Sequence, residues 1–212
     1  MFNNVQKILV LAPHTDDAEI GCGGTITKFI EEGKEVFLAN FSKAPILKES
    51  SLSPDILLEE LKESAKVLEI DSQHLLIYDY PVRNLTEHRQ EILEEMLKLR
   101  DKIKPDLVFM PTLGDIHQDH QVIAKEGLRA FKRTTILCYE DPWGHLTFST
   151  VGFILLEEKN IEKKIAAIKK YKSQEHRLYM DEKFIRSLAK VRGVQIGASY
   201  AEAFEVVRLI IK

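Results

Sequence analysis

Short runs of β-branched and aliphatic residues alternate along this chain with longer stretches whose apolar residues fall at helical spacing. No other feature restricts the fold as much, because such a chain buries its strands best in a parallel sheet covered by helices. Lys7–Ala12, Glu35–Asn40, Leu75–Tyr78, Leu107–Met110 and Thr135–Tyr139 read as five buried strands. Between them the pattern predicts a helix over Thr25–Glu32 ended by Gly33, with Gly21, Gly23 and Gly24 letting the backbone turn into it. A second helix starts at Ser53–Pro54, Ser capping and Pro in the first helical position, and runs to about Glu69. A third spans Glu87–Ile103 and stops before Pro105, and a fourth runs to about Phe131. Beyond Tyr139 come an apolar run at Val151–Leu156, two helical stretches rich in Lys and Glu, and a closing strand at Phe204–Ile211. Neither a repeat nor a linker divides the chain. The expectation is one Rossmann-like α/β domain over residues 1–212, with a mainly parallel sheet flanked by helices.

Composition removes several functions. Hydrophobic residues make up 44% and charged residues 30%, the balance of an ordinary globular protein, and the formal net charge is −3. Lys and Arg form no arm or stripe, so nucleic acid is not the expected partner. The first apolar run, Ile8–Ala12, is short and closed by Pro13 and His14, unlike a secretory signal. No stretch is long enough for an integral membrane segment, the Val206–Ile211 run being broken by Arg208. Cys22 and Cys138 lack Cys or His neighbours at ligand spacing and read as reduced, packed thiols. A cytoplasmic protein acting on a small molecule is the expectation.

In open parallel sheets, ligands bind outside the carboxyl ends of the strands. His14–Thr15–Asp16–Asp17 follows the first strand, and His117–Gln118–Asp119–His120 follows the fourth, so the two clusters should meet. Two histidines and a carboxylate, with positions left open for water, suit a catalytic zinc ion, and ferrous iron accepts the same set. His14 and Asp17 from the first loop and His120 from the second are the expected ligands. Asp16 is then free to take a proton from a water that the metal has acidified. His117, one turn before His120 if the segment is helical, can stabilise an oxyanion or protonate a leaving group. Asp119 can orient an imidazole through its other ring nitrogen, and Glu19 can do the same or favour the helix N-terminus. The alternative is a solvated acidic loop, against which stand two dense clusters at two strand ends. His74, His88, His145 and His176 read as surface or packing residues, with His145, in the Trp143-Gly144-His145 turn, the one retained as a candidate for the pocket. Gly21-Cys22-Gly23-Gly24 is not a dinucleotide fingerprint, and the paired aspartates would repel phosphate; close helix–strand packing is the better reason for these glycines.

These motifs resemble those of the LmbE-like, or PIG-L-type, zinc-dependent N-deacetylases. The signature Ala-His-Pro-Asp-Asp-x-Glu stands here as Pro13-His14-Thr15-Asp16-Asp17-Ala18-Glu19, and His-x-Asp-His as His117-Gln118-Asp119-His120. Lys172-Ser173-Gln174 and Tyr200-Ala201-Glu202-Ala203-Phe204 are similar to weaker family features. The resemblance implies hydrolysis of an acetamide on an amino-sugar derivative, with His14, Asp17 and His120 on Zn2+, Asp16 as general base and His117 stabilising the tetrahedral intermediate. Arg83 resembles a family arginine after the third strand, and is either a contact to an anionic or hydroxyl-rich part of the substrate or a surface residue of a polar loop; Tyr200 either borders the pocket or packs. Homo-oligomers are common in the family, though no interface is legible. Thr15 departs from the family proline and leaves the loop between the ligands freer. The segments Phe41–Ser53, Tyr80–Glu87 and Asp141–Ser149 are the expected pocket loops. Three other functions fit parts of the pattern: an amidase for larger amides, an iron oxygenase, and a non-catalytic metal- or sugar-binding protein. Asp16 and His117, which mere binding does not need, favour an enzyme.

Overall fold

A computed structural model describes residues 4–43, 53 and 55–211. Seven strands form one sheet in the order β3-β2-β1-β4-β5-β7-β6. In chain order these are β1 (Lys7–Ala12), β2 (Glu35–Asn40), β3 (Leu75–Ile77), β4 (Leu107–Pro111), β5 (Thr135–Tyr139), β6 (Gly152–Leu156) and β7 (Tyr200–Arg208). Strands β1 to β5 pair in parallel, while β7 runs antiparallel to both β5 and β6. The Rossmann-like α/β expectation therefore holds, with one reversed strand near an edge.

Side chains alternate across a strand, and here each face meets its own helices. Ile8 and Val10 of β1, Phe109 of β4 and Tyr139 of β5 join a core with Ile26, Phe29, Leu61 and Ile165. That core is covered by α1 (Asp17–Glu31), α2 (Ile56–Val67), α5 (Glu158–Ile168) and α6 (Glu182–Val194). Leu9, Leu11, Val108 and Cys138 point to the other face, against Ile92, Met96 and Ile123. Those residues come from α3 (Arg89–Ile103) and α4 (Gln118–Ala130). Each fully buried Leu, Ile or Phe contributes about 1.5–3 kcal/mol relative to exposure.

The first helix differs most from expectation. It begins at Asp17, so Gly21, Gly23 and Gly24 lie inside it rather than before it. A Cβ on Gly21 would come 2.3 Å from the Tyr139 ring, and one on Gly24 would come 2.5 Å from Leu156, so helix and sheet approach too closely for side chains there. The helix kinks at Cys22, whose φ is −149°. The buried pair Lys164–Glu202, at 2.6 Å, is bonded to both sides of that kink: Lys164 donates to the Ile20 carbonyl, while Glu202 accepts from the amides of Gly24 and Thr25. The closing strand also starts earlier than expected, at Tyr200, because β6 pairs with it back to that residue. The expected helix start at Ser53–Pro54 lies partly outside the described residues, and α2 runs from Ile56. No helix among the described residues is long and apolar enough to cross a membrane.

Candidate active site

The chain turns to one side of the sheet after β1 and to the other after β4, and these two strands are neighbours. A crevice opens at such a switch point, and both polar clusters lie there. His14 Nδ1 is 3.2 Å from Asp17 Oδ2, His120 Nε2 is 3.4 Å from the same oxygen, and the two nitrogens are 3.3 Å apart. Atoms placed about 2.0–2.1 Å from one tetrahedral ion stand roughly 3.3–3.4 Å from each other. The three atoms thus form a nearly equilateral face of the size a small divalent cation requires, and the donor set fits the metal expected from the sequence.

The rest of each imidazole is held by carboxylates. His14 Nε2 bonds Asp119 Oδ2 at 2.9 Å, and His120 Nδ1 bonds Asp115 Oδ2 at 2.9 Å. These bonds set which nitrogen of each ring faces the triangle. Asp119 also accepts the backbone N–H groups of Arg83 at 2.6 Å and Leu85 at 3.2 Å, so both its oxygens are occupied. For that reason the alternative grouping of His14, His117 and Asp119 is the poorer set of ligands. Asp141, buried with neither oxygen hydrogen-bonded, stands 3.4 Å from His120 Nδ1.

Charge follows from this crowding. Burial alone would lower the pKa of His14, but the carboxylates of Asp17 and Asp119 outweigh it and raise it to about 10. Burial likewise opposes the charged form of His120, yet Asp17 and Asp115 raise its pKa to about 9. Asp17 is lifted by burial but held well below the usual carboxylate range by His120 and His14. The site draws positive charge strongly, and a divalent cation there would compete with protons. Asp16, at the N-terminus of α1, is pushed up to about 6 by burial and by the Asp17 charge.

His117 is not part of a helical turn with His120. It caps α4 in an extended conformation, with φ −76° and ψ 124°, and its Nδ1 accepts the Asp119 N–H at 3.2 Å. The ring proton therefore sits on Nε2. Burial and the neighbouring His14 and His120 hold its pKa down, so the neutral form is favoured.

Glu19 reaches neither imidazole. Its Oε1 accepts from Ser64 at 2.6 Å and from Tyr171 at 2.9 Å, tying α1 to α2. Tyr200 is also elsewhere: Lys190 lies over its ring at 5.6 Å, and β7 places it beside the edge strand β6. Arg83 does line the cavity, in company with His14, Asp16, His117, Trp143, Arg177 and Tyr179. Residues 44–52 of the expected loop Phe41–Ser53 lie outside the described residues. His145 is absent from the cavity wall and stacks on Phe148.

Asp115, Asp141, Trp143, Arg177 and Tyr179 were not singled out from the sequence. A carboxylate at the end of β4, five residues before His120, was the available signal for Asp115. Arg177 and Tyr179 closely follow Ser173-Gln174, whose glutamine also lines the cavity. Trp143 falls within a segment expected to form the pocket.

The GlcNAc-PI de-N-acetylase (PIG-L) family model matches residues 9–131. A diacetylchitobiose deacetylase of Thermococcus kodakarensis is 30% identical over 97% of this chain and 85% of its own length. Among solved structures, the N,N'-diacetylchitobiose deacetylase of Pyrococcus horikoshii superposes with a TM-score of 0.80 at 24% identity, covering 97% of this chain and 85% of that one. GalB, the 4-carboxy-2-hydroxymuconate hydratase of Pseudomonas putida, gives the same TM-score at 20% identity, over 98% of both chains. Shape alone therefore accommodates different chemistries. The sequence matches carry more: with over half its length matched by the family model, the chain belongs to the PIG-L family of de-N-acetylases.

Proposed function

We propose that this protein is a metal-dependent N-deacetylase that hydrolyses the acetamide of an amino-sugar derivative to acetate and a free amine. The observation that carries this reading is the three-atom face of His14, Asp17 and His120, with Asp16 and His117 lining the same cavity. His14, Asp17 and His120 would hold a divalent cation, zinc or ferrous iron, which would supply Lewis acidity and acidify a water in the cavity. Asp16 accepts the water proton as the new carbon–oxygen bond forms, and its pKa of about 6 suits a base working near neutral pH. His117 presents Nε2–H to the amide oxygen as negative charge collects on it. Asp16 then passes its proton to the nitrogen as the carbon–nitrogen bond breaks, which balances one water consumed against one acetate and one amine released.

The relative that deacetylates diacetylchitobiose supports a 2-acetamido sugar as the reacting unit. Cys22 and Cys138 are both buried and unpaired, which fits a reducing compartment, and we place the enzyme in the cytoplasm. Metal analysis of the purified protein, paired with acetate release from N-acetylated amino sugars, tests the reading. About one zinc or iron per chain with acetate formed is the expected result. Metal without acetate from any acetamide, but with cleavage of longer acyl amides, would make it an amidase; no metal after reloading would end the proposal.

A further inference from the structure

Lys164 of α5 and Glu202 of β7 are 5% and 6% exposed, pair at 2.6 Å, and are absent from the wall of the cavity that holds the three-atom face. Burying such a pair is costly, and apolar residues of similar size often replace one without loss of stability. A simple tie between a helix and a strand is therefore a weak reason for it. Its backbone contacts give a stronger one. In a regular helix the Gly24 N–H would bond the Ile20 carbonyl, and the Thr25 N–H the Gly21 carbonyl. In α1, Glu202 accepts the Gly24 and Thr25 N–H groups at 3.0 and 2.7 Å, while Lys164 donates to the Ile20 carbonyl at 2.6 Å. Between those groups lies Cys22, the residue with non-helical dihedrals. A kink of this kind arises where side chains enter the backbone ladder, and each charge here matches the dipole of the helix piece that it caps. The glycines leave room for both side chains: a Cβ on Gly23 would stand 3.1 Å from Lys164 Cγ, and one on Gly24 3.2 Å from Glu202 Oε1.

The piece of α1 before the kink begins at Asp17, and the Asp16 carbonyl accepts the Ile20 N–H at 3.1 Å. Asp17 Oδ2 accepts the His14 N–H at 2.7 Å and lies 3.4 Å from His120 Nε2. The piece after the kink is packed into the core through Ile26 and Phe29. The angle at Cys22 therefore sets where the turn bearing Asp16 and Asp17 stands relative to His120. We propose that Lys164 and Glu202 are positioning residues: by holding the kink open from both sides, the pair keeps Asp17 on the ligand face and Asp16 beside it. This rests on the metal-dependent reading of the site but not on the identity of the substrate. With the pair removed, the freed Gly24 N–H and Ile20 carbonyl satisfy each other by closing the regular helical bond, which straightens α1 and displaces its first turn.

Three variants separate positioning from mere support: Lys164→Met, Glu202→Gln, and the double variant Lys164→Met/Glu202→Leu. Each single change leaves a buried charge without its partner, whereas the double change leaves none, so melting temperature should fall most in the singles and least in the double. Zinc affinity, measured by chelator competition, should weaken about 10–100-fold in all three, the double included. Zinc affinity that stays at the wild-type value in the double variant, or that falls only in step with melting temperature across the three, would overturn the proposal and leave the pair a structural tie. A wild-type protein that takes up no metal would overturn it together with the metal-dependent reading. A wild-type protein that takes up metal but releases no acetate would overturn the deacetylase reading alone, because the affinity comparison needs no substrate.

Discussion

The two walls of the cavity are built on different terms. On the β1–β4 side the polar groups are buried and mostly engaged: Asp119 is 0% exposed and meets three donors, and His120 is 3% exposed between Asp17 and Asp115. On the opposite side Arg83 and Arg177 are exposed on connecting segments, and Trp143 is held by one stacking partner. The first wall and Arg83 lie within the residues matched by the family model, whereas Trp143, Gln174, Arg177 and Tyr179 lie beyond residue 131. On the proposed function, bond-making geometry would be anchored at strand ends, where a small displacement is costly, and recognition left to loops that tolerate change. Damage to the first wall should therefore abolish reaction, and damage to the second should redirect or weaken it.

The largest effect is expected from His120→Ala, which removes one corner of the ligand face. Metal content after dialysis should drop from about one ion per chain to near none, and acetate release by at least roughly a thousandfold. Retention of stoichiometric metal would show that His120 is not a ligand. Asp16→Asn separates chemistry from binding: metal should stay, while kcat falls roughly 10²–10⁴-fold. The base must be ionised, so wild-type activity should be lost as pH falls through the pKa of Asp16. That value is about 6, and a cation beside it favours the ionised form, which puts the acid limb at or below about pH 6. A limb that persists unchanged in Asp16→Asn would assign it to another group.

Asp119→Asn probes the joint between the walls, because one carboxylate orients His14 and also holds the strained backbone of Arg83. An amide offers one acceptor oxygen where two are used, and it has no charge. Metal affinity measured by chelator competition should weaken about 10–100-fold. Unaltered affinity would mean that His14 is oriented by its other contacts alone.

The difference between the walls also explains what could be read without the structure. Strands β1, β2 and β5 have the expected ends because their apolar runs are closed by polar or proline residues. Helix α1 was expected eight residues late because glycine is locally unfavourable in a helix by about 1 kcal/mol relative to Ala. Here tertiary packing overrides that cost, since only glycine lets Tyr139 and Leu156 lie against the helix. His14, Asp17 and His120 were legible as ligand candidates because they belong to two dense His–Asp motifs, each in the segment that follows a buried strand. Asp115, Asp141 and Arg177 were not, because each lies in a connecting segment outside the two His–Asp motifs. Tyr200 sat in a family-like segment, but strand pairing with β6 keeps it from the cavity.

The smallest effect tests the second wall alone. Tyr179→Phe retains the ring that stacks on Trp143 and removes only the hydroxyl that receives Arg177. A single exposed hydrogen bond is worth about 0.5–1.5 kcal/mol, which corresponds to roughly a two- to tenfold weakening. KM for an acetamido sugar should rise within that range, with a smaller change in kcat, because Arg177 would be freed to sample other rotamers without leaving the cavity. A fall in kcat at constant KM would instead tie the Tyr179–Arg177 contact to Asp16, and the loop wall would then share in the chemistry that the strand wall is built to perform.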